Sequence, residues 1–297
     1  MPVEQARADA PRFIEAAGGR FAYLAAGPED GPLVVCLHGF PDHAESFTPL
    51  VARLADAGYR AVAPWMRGYA PSTLTGPYHG EQLADDALGI ARALAGGGRF
   101  ALVGHDWGAL AVWSACARAP ADLACAVTMA VPHPVATAQH LARHPSQLRR
   151  SWYLFFFQLP LAPERALARH DFALVDRLWR DWSPGFALDD GARRRLHACL
   201  GASMPAPIDY YREIPRQLLA LRAARGRGRI ATPVLHLHGS DDGCIEAAAA
   251  SHQTRFVKGP FASEVIAGAG HFLQLERPDQ AAASILRWLG DHHACPD

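Results

Sequence analysis

The chain has 297 residues, half of them hydrophobic and a fifth charged, which excludes a disordered, collagen-like or disulfide-stapled small protein. The chain has 29 basic residues (lysine and arginine) and 29 acidic residues (aspartate and glutamate), so its formal net charge is zero. Its charge therefore does not favour nucleic acid as a partner. No apolar stretch approaches the ~20 residues of a membrane span, and the polar first residues lack the apolar part of a secretory signal. The six cysteines contain no CxxC pair. We therefore expect a cytoplasmic protein with reduced thiols that contacts no membrane.

The first part of the chain alternates strand and helix patterns. Two short segments on either side of Gly18-Gly19 predict a hairpin. The uninterrupted apolar runs Pro32–Leu37 and Phe100–Val103 are typical of strands that are covered on both faces. Further strands are predicted at Arg60–Pro64 and Ala124–Val131, and helices at about 47–57, 82–95 and 107–117. This alternation predicts an α/β fold, a mostly parallel sheet with helices on both faces.

The alternation stops at about residue 135, and the next 90 or so residues are rich in arginine and aromatic residues, with helical patterns and no convincing strand. It then resumes, with strands predicted at Val234–Leu237 and Glu264–Ile266 and helices near 245–255 and from Pro278. The simplest interpretation is a core formed by residues 1–134 and 226–297, with residues 135–225 inserted as a helical unit.

Residues that could perform chemistry follow the predicted strands. Asp106 is the middle residue of GHDWG (104–108), where a buried strand passes into a helix. This is the context of a nucleophile elbow, a tight turn that presents its middle side chain above the carboxyl edge of the sheet. An aspartate at this position could equally cap the following helix, so the motif alone leaves both roles open.

Three more motifs lie at strand ends. GSDD (239–242) and Gly270-His271 follow two later strands, which gives the chain order nucleophile, acid, histidine of the α/β-hydrolase fold. HGFP (38–41) follows an earlier strand, where the first backbone N–H of an oxyanion hole belongs. Each motif alone is also ordinary turn or loop chemistry. Together, in this order and context, they predict an α/β-hydrolase fold.

The chain resembles the epoxide hydrolase branch of the α/β-hydrolase superfamily, an Asp-nucleophile group related to haloalkane and fluoroacetate dehalogenases. The resemblance covers about residues 20–290 and depends on HGFP, RGYAPS (67–72), GHDWG, VPHP (131–134), GSDD and GHFLQLERP (270–278). It implies that residues 135–225 form a helical cap with two functional tyrosines above the nucleophile. Tyr153 and Tyr211 match those positions, whereas most of Phe155–Phe157 is expected to pack the interior of the cap.

The resemblance implies an epoxide hydrolase that produces a vicinal diol from a small-molecule epoxide and water, without a cofactor. Asp106 would attack carbon, because a carboxylate is already ionised at neutral pH and needs no base. His271, oriented by Asp242, would then activate water to hydrolyse the alkyl ester. Asp242 stands three residues after Gly239, as in the G-x-x-D of the family, and Asp241 is the alternative acid.

The departing oxygen of an epoxide is a very basic alkoxide, and two phenols would hydrogen-bond it and supply a proton. The oxyanion of the second step needs donors, which the backbone N–H groups of Phe40 and Trp107 would supply. The substrate pocket is expected to be apolar and to be lined by Trp107, Trp152, Phe156 and Phe157.

Other functions remain open at this stage. A haloalkane or haloacetate dehalogenase would use the same Asp–His–Asp residues, with the Trp107 indole as a halide donor. Phe40 stands where many haloalkane dehalogenases carry asparagine, and Trp107 where fluoroacetate dehalogenases typically carry arginine. A non-catalytic ligand-binding member of the fold would not need the complete triad. The residues at positions 40 and 107 and the complete triad therefore favour the epoxide hydrolase.

We expect no metal site. His236, His238 and Asp241 superficially resemble the H-x-H-x-D-H box of metallo-hydrolases, but the aspartate is one residue late and the closing histidine is missing. The two histidines also alternate within an apolar strand, which is typical of structural histidines. The sequence leaves the oligomeric state open between monomer and homodimer.

Overall fold

The structure, a computed structural model, describes residues 10–223 and 230–294. The strands are β1 Arg12–Ala16, β2 Gly19–Ala26, β3 Leu33–Leu37, β4 Arg60–Pro64, β5 Phe100–His105, β6 Leu123–Met129, β7 Val234–Gly239 and β8 Phe261–Ile266. They form one eight-stranded sheet in the order β1-β2-β4-β3-β5-β6-β7-β8. β1 and β2 pair antiparallel, as do β2 and β4, and the remaining pairs are parallel. The predicted hairpin and mostly parallel sheet are confirmed.

The α-helices are α1 Thr48–Asp56, α2 Gly80–Leu94, α3 Trp107–Arg118, α4 Pro134–Arg143, α5 Pro145–Arg150, α6 Trp152–Phe156, α7 Ala162–Ala168, α8 Ala173–Trp182, α9 Asp190–Ser203, α10 Ala206–Arg212, α11 Ile214–Ala223, α12 Leu273–Glu276 and α13 Pro278–His292. The crossovers through α1 and α3 run in opposite directions from the centre of the sheet, which places these helices on opposite faces. α1 packs on α13 and α3 on α2, so both faces are covered. Every residue of β3, β5 and β6 is consequently buried.

The helices α4–α11 all lie between β6 and β7, and the described part of this segment contains no strand. The predicted insertion at 135–225 thus coincides with a helical segment. Its predicted end lies outside the described residues, because residues 224–229 are among those that the structure does not describe.

The helix predicted near 245–255 is wrong. This segment forms two short 3-10 turns, Ala247–Ala250 and Gln253–Phe256. Glu246 before them is extended, and its carboxylate pairs with His140 from the helical segment. The hydroxyl of Ser251 donates to the Ala248 carbonyl at 2.8 Å, which competes with a continuing helix. Tertiary contacts therefore override the helix propensity of the alanine run.

Within the described ranges, no helix is both long and apolar enough to cross a membrane. The five cysteines that lie in these ranges are all free thiols, and Cys295 falls outside them.

Candidate active site

Asp106 occupies a strained turn between β5 and α3. Its φ of 52° and ψ of −115° lie outside the regions that non-glycine residues ordinarily adopt. The glycines on either side permit close backbone approach: a Cβ on Gly104 would lie 2.3 Å from the Gly108 carbonyl oxygen, and one on Gly108 would lie 2.2 Å from that of Leu37. The Asp106 side chain makes no capping hydrogen bond to α3. The geometry is therefore that of a nucleophile elbow, and the capping alternative is not observed.

The HGFP loop reaches the Asp106 carboxylate. The backbone N–H of Phe40 donates to Asp106 Oδ1 at 2.8 Å, and a Cβ on Gly39 would lie only 2.3 Å from the same oxygen. Trp107 is the first residue of α3, where backbone N–H groups have no partner within a helix. Two backbone N–H groups thus flank Asp106, one of them already in contact with it.

Asp242, rather than its neighbour Asp241, contacts the histidine. Asp242 Oδ2 accepts a hydrogen bond from His271 Nδ1 at 2.9 Å, and Oδ1 accepts from the backbone N–H groups of Cys244 and Ile245 at 2.7 and 2.9 Å. Burial alone would raise the pKa of Asp242, but His271 and these hydrogen bonds outweigh it and lower the pKa. Asp241 is exposed and accepts a hydrogen bond from Ser240.

His271 is fully buried between the two carboxylates. Its Nε2 faces Asp106 Oδ2 across 3.7 Å, which is too long for a hydrogen bond, and has no hydrogen-bond partner among the described residues. Burial acts to lower the pKa of His271, but the charges of Asp242 and Asp106 outweigh it and raise the pKa to about 10. With both carboxylates ionised, His271 is therefore an imidazolium at neutral pH.

Two further residues position His271 through its backbone. The Trp182 carbonyl accepts the His271 N–H at 3.1 Å, and the Trp182 ring lies 5.2 Å from the imidazole. His105 Nε2 donates to the His271 carbonyl at 2.9 Å. Sequence reasoning missed both: His105 lies inside the GHDWG motif, but Trp182 comes from α8 and carries no sequence signal that links it to the core.

Tyr153 from α6 and Tyr211 from α10 lie together beside Asp106. Both are buried, and their rings are 5.7 Å apart in an edge-to-face arrangement. Burial raises the pKa of both phenols well above the ordinary value, and the charge of Asp106 adds to the rise. Both therefore remain neutral hydrogen-bond donors across the working pH range. The Tyr153 hydroxyl also lies 3.2 Å from Cys244 Sγ, a contact that the sequence does not indicate.

The predicted pocket residues divide into two sets. Trp107 and Phe157 contact Tyr211, with ring centroids 5.2 and 4.8 Å away. Trp152 and Phe156 contact each other at 5.8 Å and lie further out, where Trp152 lines an open cavity of about 200 Å³. Trp107 and Phe157 thus lie against Tyr211, whereas Trp152, whose ring is 6.4 Å from that of Tyr153, borders the open cavity.

The donors of the suspected metal box do not converge. His236 Nε2 is hydrogen-bonded to His238 Nδ1, whereas the Asp241 side chain is exposed to solvent. Asp242, Cys244 and His271 do present donor atoms within 4.8 Å of one another. However, burial raises the pKa of the Cys244 thiol well above the ordinary value, which disfavours the thiolate that a metal requires. We assign no metal to either set.

Comparisons with known proteins show the family to which the chain belongs. The alpha/beta hydrolase fold family matches residues 32–278. The chain is 34% identical over 284 residues to "Epoxide hydrolase 3" of Xenopus tropicalis, covering 92% of this chain and 75% of the relative. It is 27% identical to "Epoxide hydrolase A" of Mycobacterium tuberculosis, covering 94% and 96%. The crystal structure of Epoxide Hydrolase A from Mycobacterium thermoresistibile superposes with a TM-score of 0.81 at 28% identity, covering 94% of this chain and 98% of that one. The fold is that of an α/β hydrolase. Within that superfamily, the chain belongs to the epoxide hydrolase branch.

Proposed function

We propose that this protein hydrolyses epoxides to vicinal diols through a covalent ester on Asp106. The observation that carries the proposal is the pair of buried phenols, Tyr153 and Tyr211, beside a carboxylate at the nucleophile position. Phenols suit an epoxide because ring opening produces a strongly basic alkoxide that needs hydrogen bonds and a proton. A halide leaving group would need no proton, because it departs as a stable anion.

In the first step, an Asp106 oxygen attacks an epoxide carbon while the bond from that carbon to the ring oxygen breaks. Tyr153 and Tyr211 hydrogen-bond the ring oxygen, and one of them gives it a proton. The product is a hydroxyalkyl ester of Asp106. Because esterification removes the negative charge that stabilises the His271 imidazolium, His271 then yields its proton, which restores the phenol through solvent.

In the second step, neutral His271 takes a proton from a water molecule that attacks the ester carbonyl of Asp106. Asp242 holds the imidazole through its Nδ1–H and stabilises the imidazolium that forms. The backbone N–H groups of Phe40 and Trp107 stabilise the oxyanion. Collapse of this intermediate expels the alkoxide, which takes the proton of the carboxylic acid formed at the same time on Asp106; the diol is released, and ionised Asp106 is left beside a charged His271. No cofactor or metal takes part.

The helical segment 135–225 is proposed to be a cap over a core of residues 1–134 and 226–297, because it supplies both tyrosines. Trp107 and Phe157 are proposed to line an apolar pocket, with Trp152 and Phe156 further out. A cytoplasmic location and a monomeric or homodimeric state remain predictions from the sequence.

The test is an assay with styrene oxide and a bromoalkane side by side, in which diol and halide are measured. We expect diol from the epoxide and no halide. Asp106→Asn should abolish diol formation, whereas Asp241→Asn, which removes an exposed carboxylate one residue before the proposed acid, should retain it. Halide release without diol would instead identify a dehalogenase.

A further inference from the structure

Two buried histidines at the end of β7 have no place in the mechanism above. His236 and His238 are 0% and 1% exposed, and both side chains point into the protein interior. A buried imidazole without hydrogen bonds destabilises a fold, so the partners of both rings are informative. These partners form one continuous series that ends beside Asp242.

The direction of the hydrogen bonds in this series is fixed at one end. His238 Nε2 lies 2.9 Å from the Ile245 carbonyl, which can only accept, so Nε2 carries the hydrogen. The Nδ1 of a neutral His238 is then an acceptor, and His236 Nε2 donates to it at 3.3 Å. His236 Nδ1 in turn accepts from the Thr128 hydroxyl at 3.0 Å. Each ring is left with a single permitted tautomer.

This arrangement requires both rings to be neutral. Burial lowers the pKa of His236 well below the ordinary value, and the neighbouring His238 lowers it further. Burial likewise lowers the pKa of His238, opposed by the charge of Asp242 and assisted by that of His271. Two adjacent buried imidazoles therefore stay uncharged while His271, close by, is charged.

The series ends at the proposed catalytic acid. His238 Nε2 lies 3.5 Å from Asp242 Oδ2, the oxygen that accepts the His271 hydrogen bond. The other oxygen already accepts from Cys244 and Ile245 N–H. The His238 N–H donates to the Ile245 carbonyl, and its nitrogen lies in van der Waals contact with the one Asp242 oxygen that the backbone donors do not reach.

We propose that His238 is a positioning residue for the Asp242–His271 pair, held in its Nε2–H tautomer by the Ile245 carbonyl. The proposal rests on the proposed function. His238 acts through Asp242, so its contribution belongs to ester hydrolysis, the step in which His271 must become charged. Alkylation of Asp106 needs no base and does not depend on it.

The kinetic test uses His238→Leu, which removes the donor, and His238→Gln, whose amide can still donate. We expect His238→Leu to slow ester hydrolysis about 10- to 100-fold, the usual cost of removing a buried group that orients a functional side chain, and to leave the alkylation rate unchanged. The alkyl-enzyme should then accumulate in rapid-quench mass spectrometry. His238→Gln should recover most of the rate.

His236→Leu is the matched control, since it removes an equally buried imidazole from the same strand but leaves the His238 N–H and its Asp242 contact in place. The ratio of hydrolysis to alkylation rates should stay that of the wild type. An equal loss of both rates in His238→Leu, or the same change of ratio in His236→Leu, would reduce His238 to a packing role and overturn the proposal.

A substrate-independent measurement separates this proposal from the proposed function. In ¹⁵N NMR of the wild-type enzyme, His238 should show the neutral Nε2–H form from about pH 5 to about pH 9, an interval in which an ordinary histidine would titrate. In His238→Leu, the pKa of His271 should fall, because a less ordered Asp242 stabilises the imidazolium less. A His238 in the Nδ1–H form, or an unchanged His271 pKa, would contradict the positioning role even if the enzyme opens epoxides. A wild-type enzyme that forms no ester would contradict the proposed function alone.

Discussion

His271 should lose and regain a proton during turnover. The size of the underlying pKa change follows from its distance to Asp106. Asp106 Oδ2 lies 3.7 Å from His271 Nε2. At an effective dielectric constant of about 20, a unit charge at that distance contributes about 4.5 kcal/mol. This corresponds to about 3 pKa units. Removal of the Asp106 charge should therefore lower the pKa of His271 from about 10 to about 7.

Asp106→Asn reproduces the charge state of the ester in a stable protein. We expect an NMR titration of ¹⁵N-histidine-labelled enzyme to show His271 losing its proton near pH 7 in the variant, about 3 units below the wild type. Asp241→Asn, whose carboxylate is exposed and directed at Ser240, should leave the His271 pKa unchanged.

The same shift sets the pH dependence of turnover. Ester hydrolysis requires neutral His271, so its rate should fall as the pH drops below about 7, where the imidazole of the ester enzyme becomes protonated. The alkylation rate should not fall in this way at low pH, because alkylation does not use His271 as a base. A His271 pKa that moves by less than about one unit in Asp106→Asn would refute the electrostatic coupling on which the order of steps depends.

Further substitutions test the surroundings of the nucleophile. Tyr153→Phe and Tyr211→Phe should each slow alkylation about 10²- to 10³-fold, as expected for a lost donor to developing negative charge. The double variant should nearly abolish alkylation, and full alkylation rates in it, measured by stopped-flow fluorescence, would show that these are the wrong residues. Gly39→Ala places a Cβ 2.3 Å from Asp106 Oδ1 and should abolish diol formation, whereas Gly80→Ala, which meets no atom within 4 Å, should retain it. Retained activity in Gly39→Ala would mean that the loop can move without loss of the site.

The part of the site that residue patterns alone predict is the part that depends on strand ends, whereas Tyr153 and Tyr211 were implied only by the family resemblance. Asp106, Asp242 and His271 each follow a strand within a few residues, and the carboxyl ends of parallel strands meet at one edge of the sheet. These three residues can therefore be expected to meet in space however far apart they are along the chain. The G-x-x-D motif of the family that the chain resembles also favoured Asp242 over Asp241, and the two differ completely in burial and partners.

The contacts that could not be predicted arise where the helical segment packs on the core. Trp182 meets His271, and Tyr153 meets Cys244, across long stretches of chain whose relative placement no local periodicity encodes. The wrong helix near 245–255 has the same origin. Its alanine run favours a helix locally, but the contacts of Glu246 with the helical segment keep the chain extended at the start of the run.

The covalent ester is the feature that separates a nucleophilic Asp106 from one that merely activates water, and oxygen labelling distinguishes the two. If Asp106 attacks carbon, one of its own carboxylate oxygens leaves in the first diol, and solvent oxygen replaces it in the side chain. A single turnover with excess enzyme in ¹⁸O-water should thus give an unlabelled diol and a labelled peptide that contains Asp106, measured by mass spectrometry. If Asp106 were a general base, the label would go directly into the diol.

His271→Gln provides an independent arm of the same test. Alkylation needs no base, so the variant should react once and then stop as an enzyme heavier by the mass of the epoxide, because the ester has lost the group that activates water. The alkylated peptide should be the one that contains Asp106, and Asp106→Asn in the same background should prevent the mass increase. The two arms fail in different ways. Label in the first diol together with no adduct in His271→Gln would overturn the ester mechanism, whereas an adduct on a different peptide would preserve covalent catalysis and assign it to another nucleophile.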